Sequence, residues 1–165
     1  MPSSLADHDL QHDSLLQAAV GYFELGMLEE SWEELGVLVD SGRGECPGAV
    51  KLRTLLFLRE RRWHAALEEA EHLCICDHGS AEGYIHAAFC LHELGRTQEA
   101  RGLLEEGPAM LETESLYHYN LACYLVLTGE PLLAMDRLQD AFEMDPELRK
   151  VAADDDDLAA LRGQF

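Results

Sequence analysis

The sequence predicts an all-α protein made of repeated helix–turn–helix units, and three observations support this. Four similar segments recur: LGMLEES (25–31), ERRWHAA (60–66), LGRTQEA (94–100) and TGEPLLA (128–134). Their last residues, Ser31, Ala66, Ala100 and Ala134, are spaced 35, 34 and 34 residues apart, and each is small. A glycine stands five residues before three of them. A fixed period in this range is typical of stacked helix pairs, which bury their apolar faces against one another.

The helices are placed by this register and by the breaks between its units. The pairs are predicted at about 12–26 and 28–40, 48–60 and 63–76, 81–93 and 97–107, and 115–128 and 131–144. Pro47 and Pro131 fit the first turn of a helix, where a missing N–H costs nothing. SGRGECPG, DHGS and the Gly107–Pro108 pair end the first three units.

The domain organisation follows from the same register. Residues 1–11 are predicted to form a flexible N-terminal arm, because they are polar and terminal. Residues 12–148 form the repeat domain, with repeats at about 12–46, 47–80, 81–114 and 115–148. Residues 149–165 are predicted to form an acidic C-terminal capping helix, which a stack of repeats needs over its last apolar face.

The register resembles the tetratricopeptide repeat family from about residue 12 to residue 148. Small residues occupy the close crossing on each first helix (Ala19, Thr54, Ala88, Ala122), and bulky ones follow three positions later (Tyr22, Phe57, Leu91, Leu125). The second repeat departs from the pattern, with Arg61 at the turn glycine and Arg53 at an apolar position. The resemblance implies a right-handed superhelix of about four repeats.

The charge of the chain restricts its partners. Thirty-two acidic residues against 12 basic ones give a formal net charge of −20. Such a surface repels nucleic-acid phosphates and anionic membranes, so neither is an expected partner. An apolar or cationic protein or peptide is expected instead, although part of the charge serves solubility.

The expected location is cytoplasmic. No apolar run approaches the roughly 18–20 residues needed to span a bilayer. The first residues have neither the basic nor the apolar region of a secretory signal. Five cysteines, an odd number, form no disulfide-framework pattern.

The cysteine and histidine clusters are weak candidates for chemistry. His72, Cys74, Cys76 and His78 are the ligand types of a zinc site, but cysteines two apart on a helix point away from each other. His86 and Cys90 could share a helix face without a third, orienting residue. The DDDD run (154–157) lacks calcium-loop spacing and is interpreted as a solvated helix start. The sequence therefore predicts no enzyme activity, metal or cofactor, and no nucleotide-binding motif is present.

The family resemblance places a partner-binding groove along the first helices of the repeats. Its expected residues are Leu16, Val20, Phe23, Lys51, Leu55, Leu58, Arg59, Ile85, Phe89, His92, Tyr119, Cys123 and Val126. Some family members clamp a chaperone's terminal carboxylate with Lys and Asn, but Leu16 and Val20 occupy the first repeat's clamp positions here. An apolar groove accepts an extended segment or an amphipathic helix. The N-terminal arm, the last helix or a second copy could instead cover several of these side chains.

Three functions are compatible with these observations. The leading hypothesis is a protein–protein interaction module, an adaptor that binds a protein segment in the groove. The alternative is a dedicated cytosolic chaperone, because length, acidity and repeats are similar to the small acidic chaperones of translocator proteins in type III secretion. A thiol or zinc enzyme rests on the Cys/His clusters alone. A homodimer is compatible with each of them.

Overall fold

The computed structural model describes residues 4–165, with side chains from Ser14 onward, and all regular structure in this part of the chain is helical. The prediction of an all-α repeat of helix pairs is confirmed, because helices adjacent in sequence pack as pairs. The chain divides into two compact units, Met1–Asp77 and His78–Phe165. No helix of the described residues is both long and apolar enough to cross a membrane.

The first unit contains two helix pairs. They are α1 (Ser4–Glu24) with α2 (Leu28–Asp40), and α3 (Pro47–Arg59) with α4 (Trp63–Cys76). Helix α1 begins at Ser4 rather than near residue 12, because no glycine or proline interrupts residues 4–11. Of the predicted flexible arm, residues 1–3 lie outside the described residues.

The small residues of the register mark close helix crossings in this unit. Ala19 of α1 and Ser31 of α2 are fully buried, and the Ser31 hydroxyl donates a 2.7 Å hydrogen bond to the Ala19 carbonyl. Leu35, Leu38 and Leu56 are buried around this crossing. A larger side chain at either position would push the two backbones apart.

The second repeat accommodates its two unusual residues in different ways. The Arg53 guanidinium forms an ion pair with Glu69 at 3.0 Å and donates to the Gly44 carbonyl. Arg61 occupies the left-handed region at φ 56°, where the equivalent turns have Gly26, Gly95 and Gly129. A side chain in this conformation is strained, which explains the preference for glycine at the turn.

The second unit contains two further pairs and a C-terminal extension. The pairs are α5 (Glu82–Glu93) with α6 (Thr97–Glu105), and α7 (Ser115–Leu127) with α8 (Pro131–Met144). A 3-10 helix (Ala109–Thr113) connects α6 to α7. Helix α9 (Leu148–Asp154) and another 3-10 helix (Asp156–Leu161) follow.

The predicted single capping helix is thus two short helices with a break at Asp155. The backbone of Asp155 is extended (φ −76°, ψ 123°), and its side chain accepts a hydrogen bond from the Asp157 amide at 2.9 Å. The Asp155 side chain caps the start of the 3-10 helix. The extended residue and its cap separate this 3-10 helix from α9. We call residues 155–165 the C-terminal segment.

Candidate functional site: two equivalent helix faces

The expected groove residues of the first two repeats meet in one cleft between α1 and α3. The cleft has a volume of about 340 Å³. Its lining is mostly apolar and consists of Leu16, Val20, Phe23, Glu24, Gly48, Lys51, Leu52 and Leu55. Of the expected residues in this unit, Leu58 and Arg59 lie outside the lining. Five of the seven predicted positions therefore come together.

A close approach of the two helices forms the cleft. A Cβ atom built on Gly48 would lie 2.6 Å from Cδ2 of Leu16, so a larger residue here would require the Leu16 side chain to move. Leu16, Val20 and Leu55 are half-buried, with part of each side chain in contact with solvent. The walls are therefore preformed and accessible.

Three charged groups stand at this cleft. Lys51 and Glu24 are part of its lining. The Arg59 guanidinium lies 5.0 Å from the ring centroid of Phe23, in cation–π contact with a lining residue. The cleft therefore combines apolar walls with described charged side chains of both signs.

The second unit presents the same face in the same register. Helices α3 and α7 are both 13 residues long and begin 68 residues apart, so Lys51, Leu55 and Leu58 correspond to Tyr119, Cys123 and Val126. Helices α1 and α5 end 69 residues apart. By that offset, Leu16, Val20 and Phe23 correspond to Ile85, Phe89 and His92.

The C-terminal segment covers this second face. Ile85 and Tyr119 are each 6% exposed and Cys123 is 4% exposed, whereas Phe89, His92 and Val126 are half-buried. From the segment, Leu158 and Leu161 are completely or almost completely buried. The expected groove is therefore filled here by the protein's own chain.

Two aspartates attach the segment to the face. The Tyr119 hydroxyl donates a 2.6 Å hydrogen bond to Oδ2 of Asp155, and the Cys123 thiol approaches the same oxygen at 3.8 Å. Nε2 of His92 lies 3.0 Å from Oδ2 of Asp157. Burial, together with the Asp155 hydrogen bond, raises the pKa of Tyr119 above its ordinary value. The phenol therefore remains a donor over the physiological pH range.

The interpretation of the DDDD run as a solvated helix start was wrong for two of its four residues. Asp154 and Asp156 are exposed, but Asp155 and Asp157 are half-buried and bonded to α5 and α7. The signal available in the sequence was the run of four aspartates directly before the apolar LAAL (158–161). The partners of these aspartates, Tyr119 and His92, could be recognised only from the folded structure.

Burial favours the protonated thiol at four of the five cysteines. Burial raises the pKa of Cys74 to about 11 and that of Cys90 to about 12, and it also raises the pKa of Cys76 and Cys123. Since the thiolate is the nucleophile, this environment disfavours nucleophilic chemistry at these four cysteines. The Cys90 side chain, which the sequence places on one helix face with His86, is fully buried.

Metal-ligand types converge away from the cluster of His72, Cys74, Cys76 and His78. From Ser14 onward, the group of at least three such side chains with ligand atoms within 4.8 Å of one another is Cys123, Asp155 and Asp157. His72, Cys74 and Cys76 form no such group among these residues. The protonated Cys123 thiol donates to the Asp155 carboxylate. This hydrogen bond explains why the two side chains lie close together without a metal ion.

Two larger clefts lie in the second unit, and their linings are more polar. One, of about 480 Å³, lies between α8 and the C-terminal residues Gln164 and Phe165. The other, of about 440 Å³, contains five charged side chains: Glu105, Glu112, Asp136, Arg137 and Asp140. Ligand sites are mostly apolar with a few polar groups, so the α1–α3 cleft is the better candidate despite its smaller volume.

The comparisons with known proteins give the fold. No family model matches the sequence, and no curated protein matches it. A solved structure of PilF from Pseudomonas aeruginosa superposes with a TM-score of 0.76 at 20% identity, covering 94% of this chain and 69% of that one. PilF is of the tetratricopeptide-repeat type. This chain has a tetratricopeptide-repeat fold.

Two structures of MamA give the same result. MamA of MSR-1 superposes with a TM-score of 0.64 at 15% identity, covering 83% of this chain and 78% of the other. A MamA point mutant gives 0.63 at 16% identity, covering 81% and 77%. These proteins are also of the tetratricopeptide-repeat type.

Proposed function

We propose that this protein is an interaction module that binds an apolar segment of a protein partner in the cleft between α1 and α3. The observation behind the proposal is the contrast between two equivalent faces. The α5–α7 face holds Asp155 and Asp157 of a segment of its own chain, whose 3-10 helix packs on α7 with Leu158 and Leu161 buried. The α1–α3 face has an accessible cleft. Because the two faces have the same register, we expect the α1–α3 face to accommodate a protein segment as the α5–α7 face does.

The chemistry of the cleft supports binding rather than catalysis. Its lining residues offer leucine, valine and phenylalanine side chains, one lysine and one glutamate. Burying leucines against leucines contributes about 25 cal/mol per Å² of apolar surface removed from water. Protonated, buried thiols elsewhere in the chain give no support to a thiol or zinc enzyme.

The proposal is tested by capture of partners from the source cells with a cleft variant. Leu55→Glu places a charge in the cleft wall and is expected to reduce recovery of a specific partner at least tenfold. Leu132→Glu is the matched control, since Leu132 is 84% exposed in the second unit, and it should retain the partner. Circular dichroism must show that both variants keep the wild-type helix content.

Photo-crosslinking identifies the contact directly. A benzophenone amino acid at position 55 should yield a crosslink to the partner, and the same group at position 132 should not. Equal recovery with Leu55→Glu and wild type, or crosslinking from position 132 alone, would contradict the proposal. A crosslink from position 55 to a second copy of this protein would show a homodimer instead.

A further inference from the structure

We infer that the segment bound by the α1–α3 cleft is acidic and apolar: one or two carboxylates followed by leucine-like residues three positions apart. This inference rests on the proposed function and specifies the partner's chemistry. Its basis is the C-terminal segment itself, which shows what the equivalent face binds. In that segment the carboxylates of Asp155 and Asp157 precede the buried Leu158 and Leu161.

The spacing within the C-terminal segment suits a helix face. Residues three apart in a 3-10 helix lie directly above one another, so Leu158 and Leu161 form one apolar row. Asp155 and Asp157, at the start of that helix, direct their carboxylates to donors on α5 and α7. The pattern is compact enough to be presented by a short segment of another protein.

The donor positions of the second unit have cationic counterparts in the first. Tyr119, which holds Asp155, corresponds to Lys51, a lining residue of the cleft. His92, which faces Asp157, corresponds to Phe23, and the Arg59 guanidinium lies over the Phe23 ring. The positions of Tyr119 and His92, which meet carboxylates in the second unit, therefore correspond in the first unit to Lys51 and to Phe23 with Arg59 beside it.

The apolar positions also correspond, with a change that favours leucine-like side chains. Cys123 is replaced in the first unit by Leu55, a larger apolar wall. No thiol donor is then present at this point, and the charged side chains of the cleft lining are Lys51 and Glu24. Hydrogen bonds between a charged donor and a carboxylate are about twice as strong as neutral ones.

The acidic residue of the cleft does not argue against this ligand. Glu24 corresponds to Glu93 in the second unit by the same offset of 69 residues. Glu93 is present while Asp155 and Asp157 bind the α5–α7 face. The net charge of −20 favours cationic partners for the surface as a whole, but local groups decide binding in a desolvated cleft.

The experiment uses the full-length protein and a labelled synthetic peptide of residues 153–165 as the probe. Fluorescence anisotropy should show saturable binding that weakens as salt is raised. Lys51→Glu and Arg59→Glu should each weaken it at least tenfold. Lys150→Glu is the control, because Lys150 is an exposed α9 residue paired with Glu147, and it should bind like wild type.

The location of the bound peptide must be observed, because the peptide could instead displace the protein's own C-terminal segment. Amide chemical-shift changes should concentrate in α1 and α3. Changes confined to α5 and α7, or binding that is insensitive to both charge reversals, would overturn the inference. Absence of binding would overturn it as well.

Two altered peptides separate this inference from the proposed function. In one, Asp155→Asn and Asp157→Asn remove the carboxylates that the two donors meet, and binding should weaken at least tenfold. In the other, lysines replace all four aspartates. If either binds the cleft as well as the original, the acidic requirement fails while the proposed function stands.

A dimer lost on Lys51→Glu and on deletion of residues 155–165 would identify a second copy as the occupant, and it would overturn the assignment to another protein.

Discussion

The α1–α3 face and the α5–α7 face have the same register, yet one holds an accessible cleft and the other is covered. Few side chains account for the difference. Tyr119 and His92 provide the hydrogen-bonding groups that hold the C-terminal aspartates in the second unit. Lys51 and Phe23 occupy those positions in the first unit. A repeat architecture can thus vary the side chains with which each unit holds a segment while its helix packing stays the same.

The comparison also changes an expectation drawn from the sequence. If Tyr119 lined an open groove, Tyr119→Ala would weaken partner binding and leave the melting temperature near that of the wild type. Tyr119 is instead 6% exposed beneath the C-terminal segment and bonded to Asp155. Its loss is now expected to destabilise the second unit, so it cannot report on partner binding alone.

The largest effect is expected from a change at a close helix crossing in the first unit. Ala19→Arg should lower the free energy of unfolding by more than about 3 kcal/mol, because overpacking adds to the burial of an unpaired charge. Ala18→Arg is the matched control, since Ala18 is the exposed neighbour on the same helix. Urea denaturation compares the two. Equal stability of both variants would contradict the crossing at Ala19.

A smaller loss is expected when the cover of the second face is weakened. Leu158→Ala removes a fully buried side chain of the C-terminal segment and should cost about 3 kcal/mol. Hydrogen exchange should then accelerate in α7, beneath the segment. Leu132→Ala, at an 84% exposed position, should change neither quantity. Unchanged exchange in α7 would mean that the segment does not protect this face.

Removing one hydroxyl tests how the segment is attached. Tyr119→Phe should lower the free energy of unfolding by about 1.5–3 kcal/mol, the range for a hydrogen bond to a charged group. Tyr84→Phe, at a half-buried tyrosine of α5, serves as the control. A loss no larger than that of the control would show that the apolar residues hold the segment without the aspartate.

The same variant should show a definite pH dependence. Since the pKa of Tyr119 is raised in the folded state, its contribution is complete below the ordinary phenol pKa of about 10. Above that pH the unfolded chain loses the proton first, and the contribution declines. The stability difference between wild type and Tyr119→Phe should therefore shrink as pH rises above about 10. A constant difference would contradict the raised pKa.

The smallest effect, and a stabilising one, is expected at the turn between α3 and α4. Arg61→Gly should stabilise the first unit by about 0.5–1 kcal/mol, because φ 56° is strained for a residue with a Cβ atom. The equivalent turn of the second unit already has Gly129 at φ 92°. Arg61→Ala separates the loss of charge from the relief of strain and should give no gain. Thermal melts compare these variants.

Much of the helix framework could be predicted from the sequence. The period of 34 to 35 residues placed the turns, and the structure has glycine at three of them and Arg61 at the fourth. The predicted bounds of α2, α3, α4, α5, α7 and α8 agree with the observed ones within about one residue. Helix starts, turns and small crossing residues depend on local geometry, which a repeated pattern records directly.

The tertiary structure alone decided which of the two equivalent faces is covered. The bond between Tyr119 and Asp155 joins residues 36 apart, and Asp155 lies in a run that had the composition of a solvated helix start. Composition specifies which groups can bond, but burial and distance select the partners that do. The repeat can be recognised in the sequence because each helix and turn depends on residues that are close together in the chain. The cover arises from packing between elements distant in sequence, which no local pattern records.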